Sequence, residues 1–293
     1  MHGTRILEEA DRLMTVCNSC RYCEGLCAVF PAMEMRRAFS DGDLNYLANL
    51  CHGCGACYTD CQFSPPHEFN VNVPKTLAIA RAESYAAYAG PRAFWRDIGE
   101  PIGALTEPAS LWQAMKDAGQ LRYLDGGGVG CVNEDERPND RRKIYHHLTF
   151  YGFLLCFAAT SVATLYHYLL AREAPYPWWD LPVVLGTSGG IGLLVGPAGL
   201  LKERWKRDPA LVDEKRTGMD VAFIVMLFMT GLTGMALLLL RDAAAMGPLL
   251  ALHLGVVFAL FITMPYGKFV HGIYRFVALV RYAKEHRALT GKA

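Results

Sequence analysis

The sequence predicts a mostly α protein, a small cysteine-rich helical domain followed by a four-helix transmembrane bundle. Three observations carry this. Eight of the ten cysteines lie between Cys17 and Cys61. Four long stretches after Lys143 contain no Asp, Glu, Lys or Arg. The charge balance also changes sign: residues 1–143 hold 15 Lys+Arg and 19 Asp+Glu, net −4, whereas residues 144–293 hold 14 and 9, net +5. Of the 293 residues, 52% are apolar and 19% charged, against about 25% charged in ordinary soluble domains. Mean hydropathy is +0.15. This composition excludes a disordered or collagen-like chain. No region is basic enough for nucleic-acid binding.

The N-terminal elements read as helices. In ILEEADRLM, Ile6–Met14, the apolar residues recur at helical spacing. After Ser40, the segment DGDLNYLANL puts Leu44, Leu47 and Leu50 on one side and ends at Cys51. Pro74 suits the first position of a helix through KTLAIARAESYAAYA. Residues 1–16 carry acids where a secretory signal would need an apolar core, so exported disulfides are not expected.

Between these helices, Cys17, Cys20, Cys23 and Cys27 spell C-x2-C-x2-C-x3-C, and Cys51, Cys54, Cys57 and Cys61 repeat it. This spacing is that of the bacterial ferredoxin run, in which three thiolates hold one [4Fe–4S] cluster and the fourth reaches the neighbouring one. The expected sets are Cys17, Cys20, Cys23 and Cys61 on one cluster, and Cys51, Cys54, Cys57 and Cys27 on the other. Ala28 and Gln62 stand where proline usually follows, and Pro31 and Pro65 come slightly later. Two zinc sites are the alternative, although zinc ligands usually come as separated C-x2-C pairs. The predicted domain, 1–83, is a helical two-cluster ferredoxin.

Residues 84–143 read as an irregular connector. Its LDGGGVGCVNEDE segment lacks the preceding strand and following helix of a nucleotide-binding loop. Cys131 and Cys156 have no partner at ligand spacing, and Cys156 reads as a small apolar residue.

Four charge-free runs follow, of 28, 21, 20 and 25 residues, where crossing a bilayer takes about 20. They place spans near 146–170, 181–201, 220–240 and 248–268, in a membrane domain of 144–272. The second, LPVVLGTSGGIGLLVGPAGLL, has six glycines and two prolines and is expected to be irregular. Loops on one side carry 15 Lys and Arg, among them Arg141, Lys202, Arg207, Lys215, Arg216, Lys268 and Lys292, against Arg172 and Arg241 on the other. That bias puts the N-terminal domain and the C-terminus in the cytoplasm of a multi-pass inner-membrane protein. Tyr166, Tyr168, Tyr176, Trp178 and Trp179 read as an outer aromatic belt. The basic tail, 273–293, either continues the fourth span or lies on the lipid surface.

Histidines at the span ends are functional candidates. His146 or His147 would stand level with His271 at the inner side, and His167 with His253 at the outer. His253 and His271 are 18 residues apart, five full turns of one helix. His146 shares a face with His167 better than His147 does. Paired imidazoles between facing helices suit bis-histidine b-type haem, one or two.

Fused to the cysteine runs, HHLTFYGFLLCFAATSVATLYHY and GTSGGIGLLVGPAGLL resemble the tricarballylate utilisation protein B family, also called citrate utilisation protein B, over nearly the whole chain. The resemblance implies a membrane electron carrier with two [4Fe–4S] clusters and b-type haem. Its expected partners are a separate FAD-dependent tricarballylate dehydrogenase and the quinone pool. The eight cysteines match that family's cluster ligands. The alternatives are a heterodisulfide-reductase-like enzyme, whose adjacent cysteine pairs are missing here, and a zinc-bearing membrane adaptor without a redox role.

Overall fold

The computed structural model describes residues 2–88, 90–99, 107–132, 137–213 and 217–291. Lys215, Arg216 and Lys292 of the charge count, and residues 133–136 of the glycine-rich segment, lie outside them. Among the described residues there are twelve α-helices and no strand beyond an isolated antiparallel bridge between Cys131 and Asn139. In chain order the helices are α1 (Arg5–Cys20), α2 (Val29–Glu34), α3 (Asp41–Leu50), α4 (Ala56–Thr59), α5 (Val73–Ala87), α6 (Pro91–Asp97), α7 (Pro108–Gly119), α8 (Arg141–Leu170), α9 (Leu181–Trp205), α10 (Thr217–Leu239), α11 (Met246–Thr263) and α12 (Val270–Leu289). They fall into two compact units. One comprises Met1–Asp140, Lys206–Lys215 and Val270–Ala293, the other Arg141–Trp205 and Arg216–Phe269.

In the first unit local chemistry starts each helix. The Thr4 hydroxyl accepts from the Leu7 N–H at the head of α1, and Asn72 accepts from the Lys75 N–H at the head of α5, which carries Pro74 in its first turn. Ser40 and Asp43 form a reciprocal capping box on α3. Leu44, Leu47 and Leu50 are all buried, with Tyr46, Leu13 and Met14, in one core.

Two parts of the chain join this core that the sequence placed elsewhere. Residues 84–143 are not an irregular connector throughout. Phe94, Trp95 and Ile98 around α6, and Ala114 of α7, are at most 2% exposed. The basic tail does not continue the fourth span, because the chain turns between Thr263 and Val270. Helix α12 then packs on α3, α6 and α7, burying Tyr274, Ala278 and Val280. Its charges find partners here. Arg281 donates to Asp43 at 2.9 Å and to Glu285 at 2.8 Å, and also to the Ile98 carbonyl. Arg36 donates to the same Asp43 and Glu285, and the Tyr46 hydroxyl donates to Glu285 at 3.1 Å. Burial opposes the Asp43 charge, but hydrogen bonds from Arg36 and Ser40 hold its carboxyl down at about 2.

The second unit contains the four helices long and apolar enough to cross a membrane, α8 to α11. Helix α9 is a regular 25-residue helix, contrary to the irregular span expected, and is the most buried of the four. Its glycines serve close approach. Gly189, Gly192, Gly196 and Gly199 line one face against α8, where a Cβ on Gly192 would sit 2.8 Å from the Leu148 carbonyl oxygen and one on Gly196 would sit 2.6 Å from the Thr149 nitrogen. Without water to take up freed backbone groups, the helix is the state that satisfies them. At one end of this unit Arg204 and Lys268 both pair with Asp220, at 3.1 and 2.7 Å. At the other, Arg172 pairs with Asp180, and the Arg241 guanidinium lies 4.1 Å over the Trp178 ring.

Candidate functional site

The cysteine runs straddle helix ends. Cys17 and Cys20 occupy the last turn of α1, which stops at Arg21 in a left-handed conformation. Cys27 lies two residues before α2. Cys51 follows α3 directly, Cys57 sits in α4, and Cys61 follows α4. The short helices therefore turn the two runs toward each other rather than closing each on itself.

The result is crossed. Cys27, from the first run, lines one cavity with Cys51, Cys54 and Cys57, closed by Leu26, Phe30 and Tyr123. Burial, reinforced by the charges of Cys61, Cys23 and Cys20, pushes the Cys17 thiol up to about 12. Burial and the neighbouring Cys61, Cys20 and Asp60 push Cys23 up to about 11. Cys27 is driven further up, by burial and then by Cys51 and Cys54. Burial likewise raises Cys57, and the charges of Cys54, Cys51, Cys27 and Cys23 add to the rise. Four cysteine sulfurs, Cys51 buried and the others half-buried, line one space and form a donor set that binds a cation once deprotonated. Among the described residues, no three His, Cys, Asp or Glu side chains gather as a single-ion site. One tetrahedral zinc would hold its sulfurs about 4 Å apart, with bonds of about 2.3 Å. A cubane takes its four thiolates at the corners of a wider cage. The donor set fits an iron–sulfur cluster.

The glycine-rich segment, read from sequence as part of a connector, closes over the second set. A Cβ on Gly126 would lie 3.1 Å from the Cys54 sulfur, and one on Gly127 would lie 2.5 Å from the Leu26 carbonyl oxygen. The Val132 N–H donates to the Cys54 carbonyl at 2.8 Å. The Gly53 N–H points at the Cys51 sulfur at 3.4 Å. Beside the first set, Gln62 Nε2 stands 4.0 Å from the Cys20 sulfur. Cys131 is buried, with its thiol donating to the Leu124 carbonyl, and is structural. Cys156 packs its sulfur against Gly189.

The histidines are distributed as follows. His146, His147 and His167 are on the continuous helix α8, where His147 stacks on Tyr151 and His167 is exposed. His253 is in α11, whereas His271 is in the first turn of α12 and belongs to the first unit. The five-turn phase between His253 and His271 therefore does not apply, because the helix ends between them. The environment of His253 is specific. Its Nδ1 lies 2.9 Å from the Thr233 hydroxyl oxygen, and that hydroxyl donates its single proton to the Met229 carbonyl at 2.8 Å. With that proton directed at Met229, Nδ1 carries its own proton and donates, and the Nε2 lone pair is left for a metal. Gly234 sits against the same ring, where a Cβ would be 3.1 Å from Cε1. This imidazole fits as a haem ligand.

Residues 10–87 match the family model described as Citrate utilization protein B Fer4-like domain. With four helices able to span a bilayer, that defines a membrane protein of the iron–sulfur class. Residues 74–292 match the model described as Citrate utilization protein B. A Citrate utilization protein B from Escherichia coli is 45% identical, across 95% of this chain and 92% of its own length. The chain belongs to the citrate utilization protein B family. No solved structure matches it.

Proposed function

We propose that this chain is the membrane electron carrier of a citrate or tricarballylate utilisation system. It takes electrons from the reduced flavin of a separate FAD-dependent dehydrogenase and delivers them to quinone. The observation that supports this most is Cys27 beside Cys51, Cys54 and Cys57 around one cavity, since crossed ligation belongs to a pair of neighbouring clusters. When bound, two [4Fe–4S] clusters and b-type haem supply single-electron carriers that divide a two-electron flavin oxidation.

The protein's own residues do the rest. Cys17, Cys20, Cys23 and Cys61 hold the first cluster, and Cys27, Cys51, Cys54 and Cys57 the second. The Gly126–Gly128 lid keeps water from the second set. His253, held by Thr233, would ligate the haem, and His146, His167 and His271 are the remaining candidates. The excess of Lys and Arg on one side puts the N-terminal domain and the C-terminus in the cytoplasm of an inner-membrane protein. Arg172 and Arg241, the two cations opposite, are held by Asp180 and Trp178.

Purified full-length protein, examined by ultraviolet–visible and EPR spectroscopy as isolated and after dithionite, tests the reading. Two interacting cluster signals, a Soret band and reoxidation by a quinone analogue are expected. A colourless protein refutes it.

A further inference from the structure

We propose that Arg81, Arg207 and Arg275 make the second cysteine set the higher-potential site of the first unit, so that electrons enter at the Cys17–Cys61 set and run to the Cys51 set. The inference rests on the two-cluster reading above.

The three guanidinium groups come from distant parts of the sequence and converge on two residues of one run. Arg81 of α5 and Arg275 of α12 both donate to the Cys51 carbonyl, at 2.7 and 2.9 Å. Arg207, in the loop after α9, donates to the Gly53 carbonyl. Gly53 permits this, because a Cβ there would lie 2.7 Å from the Arg207 Nη2. The loop is anchored within the same unit. Asn72 donates to the Ala210 carbonyl at 2.8 Å, and Leu211 abuts Gly55. All three arginines are half-buried, where a charge acts through a lower dielectric than in water.

The first set has the opposite surroundings. The Asp60 carboxylate bears on Cys23, and Gln62, a neutral donor, is the side chain near Cys20. Arg21 and Glu24, both exposed, offset each other in sign. The rim is open: Tyr22 is 73% exposed, and Ser19, Gly25, Asp60 and Gln62 are also at the surface.

Adding an electron to a thiolate-ligated cubane makes it more negative, so nearby cations favour the reduced form and nearby anions the oxidised one. Burial alone works the other way at the second set, since it disfavours the more charged state. The three guanidinium groups hydrogen-bonded to the Cys51 and Gly53 carbonyls act against that desolvation. In the transfer, one electron leaves the reduced first site and enters the oxidised second site; no bond breaks and no proton moves. The reductant is the reduced flavin of the dehydrogenase proposed above.

The test is an anaerobic EPR-monitored redox titration of the full-length protein and of Arg207→Gln, Arg275→Gln, Arg207→Lys and Asp60→Asn. The unsubstituted protein should show two separated one-electron steps. Each Arg→Gln change should lower only the higher-potential signal, cutting its reduced fraction at fixed potential by at least about tenfold, which is 59 mV for one electron. Arg207→Lys keeps the charge and should stay within about threefold of the parent on the same scale. Asp60→Asn should raise only the lower-potential signal. If an arginine variant fails to load its second cluster, the Asp60→Asn shift and the parent titration still decide. Coincident potentials, an Arg effect on the lower-potential signal, or an Asp60 effect on the higher one overturns the proposal. Absence of two cluster signals from the unsubstituted protein defeats the two-cluster reading itself.

Discussion

The lid over the second cysteine set makes a graded prediction at three consecutive glycines. Gly126, Gly127 and Gly128 have φ of +70°, +79° and +109°. Alanine at any of them costs about 1–2 kcal/mol for a left-handed backbone. The positions differ in what the new methyl meets. At Gly128 it meets nothing within 4 Å. At Gly126 it stands 3.1 Å from the Cys54 sulfur, a side-chain atom that must give by a few tenths of an ångström. At Gly127 it stands 2.5 Å from the Leu26 carbonyl oxygen and 3.3 Å from its carbon, which are backbone atoms beside Cys27. That clash adds an overpacking cost of about 1–3 kcal/mol and lifts the lid. The expected order of damage is therefore Gly127→Ala, then Gly126→Ala, then Gly128→Ala. The assay is iron and acid-labile sulfide per protein after anaerobic reconstitution, with the rate of cluster loss in air followed by absorbance. Gly127→Ala should lose about half its iron and the second set's EPR signal while keeping the first. Equal losses in all three variants, or the largest loss at Gly128, would refute the lid.

Four further outcomes follow from the packing. Arg281→Ala strips Asp43 and Glu285 of a buried partner and should destabilise the first unit by about 3 kcal/mol, seen as a lower melting midpoint; no change would mean the network is idle. Gly192→Leu cannot fit against Leu148 and Gly152 and should lower the stability of the second unit in detergent by about 1–3 kcal/mol, whereas Ile191→Ala, at a position 51% exposed, should not. Asp43 sits below the usual carboxylate value, so its stabilisation is complete above pH about 4 and is lost as pH falls through about 2, amounting to about 2 kcal/mol. Asp43→Asn lacks it at every pH, so the gap between variant and parent in chemical denaturation should close between these limits, and a constant gap contradicts the reading. Thr233→Val frees the His253 tautomer and should weaken haem retention by on the order of tenfold, measured as pyridine haemochrome per protein; unchanged retention removes His253 as the oriented ligand.

Much was legible from local pattern. The helix of Leu44, Leu47 and Leu50 begins at its Ser40 cap and ends before Cys51 as the spacing indicates, because capping and apolar periodicity are properties of neighbouring residues. The four spans were legible for the same reason: twenty charge-free residues set a length that only a membrane-crossing or deeply buried helix uses. The glycines of α9 misled. Glycine and proline weaken helices in water, but between packed spans they allow backbone contact and the helix persists. The tail misled as well, since RFVALVRYAKEH carries the same apolar residues whether it faces lipid or the core around Tyr46 and Trp95.

Local pattern sets the helical class, the two C-x2-C-x2-C-x3-C runs and the four candidate spans, since each is encoded within a few turns of chain. Packing between distant segments brings Gly126 and Gly127 over the second set and α12 onto the first core. It alone brought Arg81, Arg207 and Arg275 to Cys51 and Gly53, and gave His253 its Thr233 partner. Those contacts join residues from 20 to more than 200 positions apart. Spacing along the chain carries no signal for them, because they depend on which faces pack together and on where a buried cation or imidazole finds the acceptor it needs.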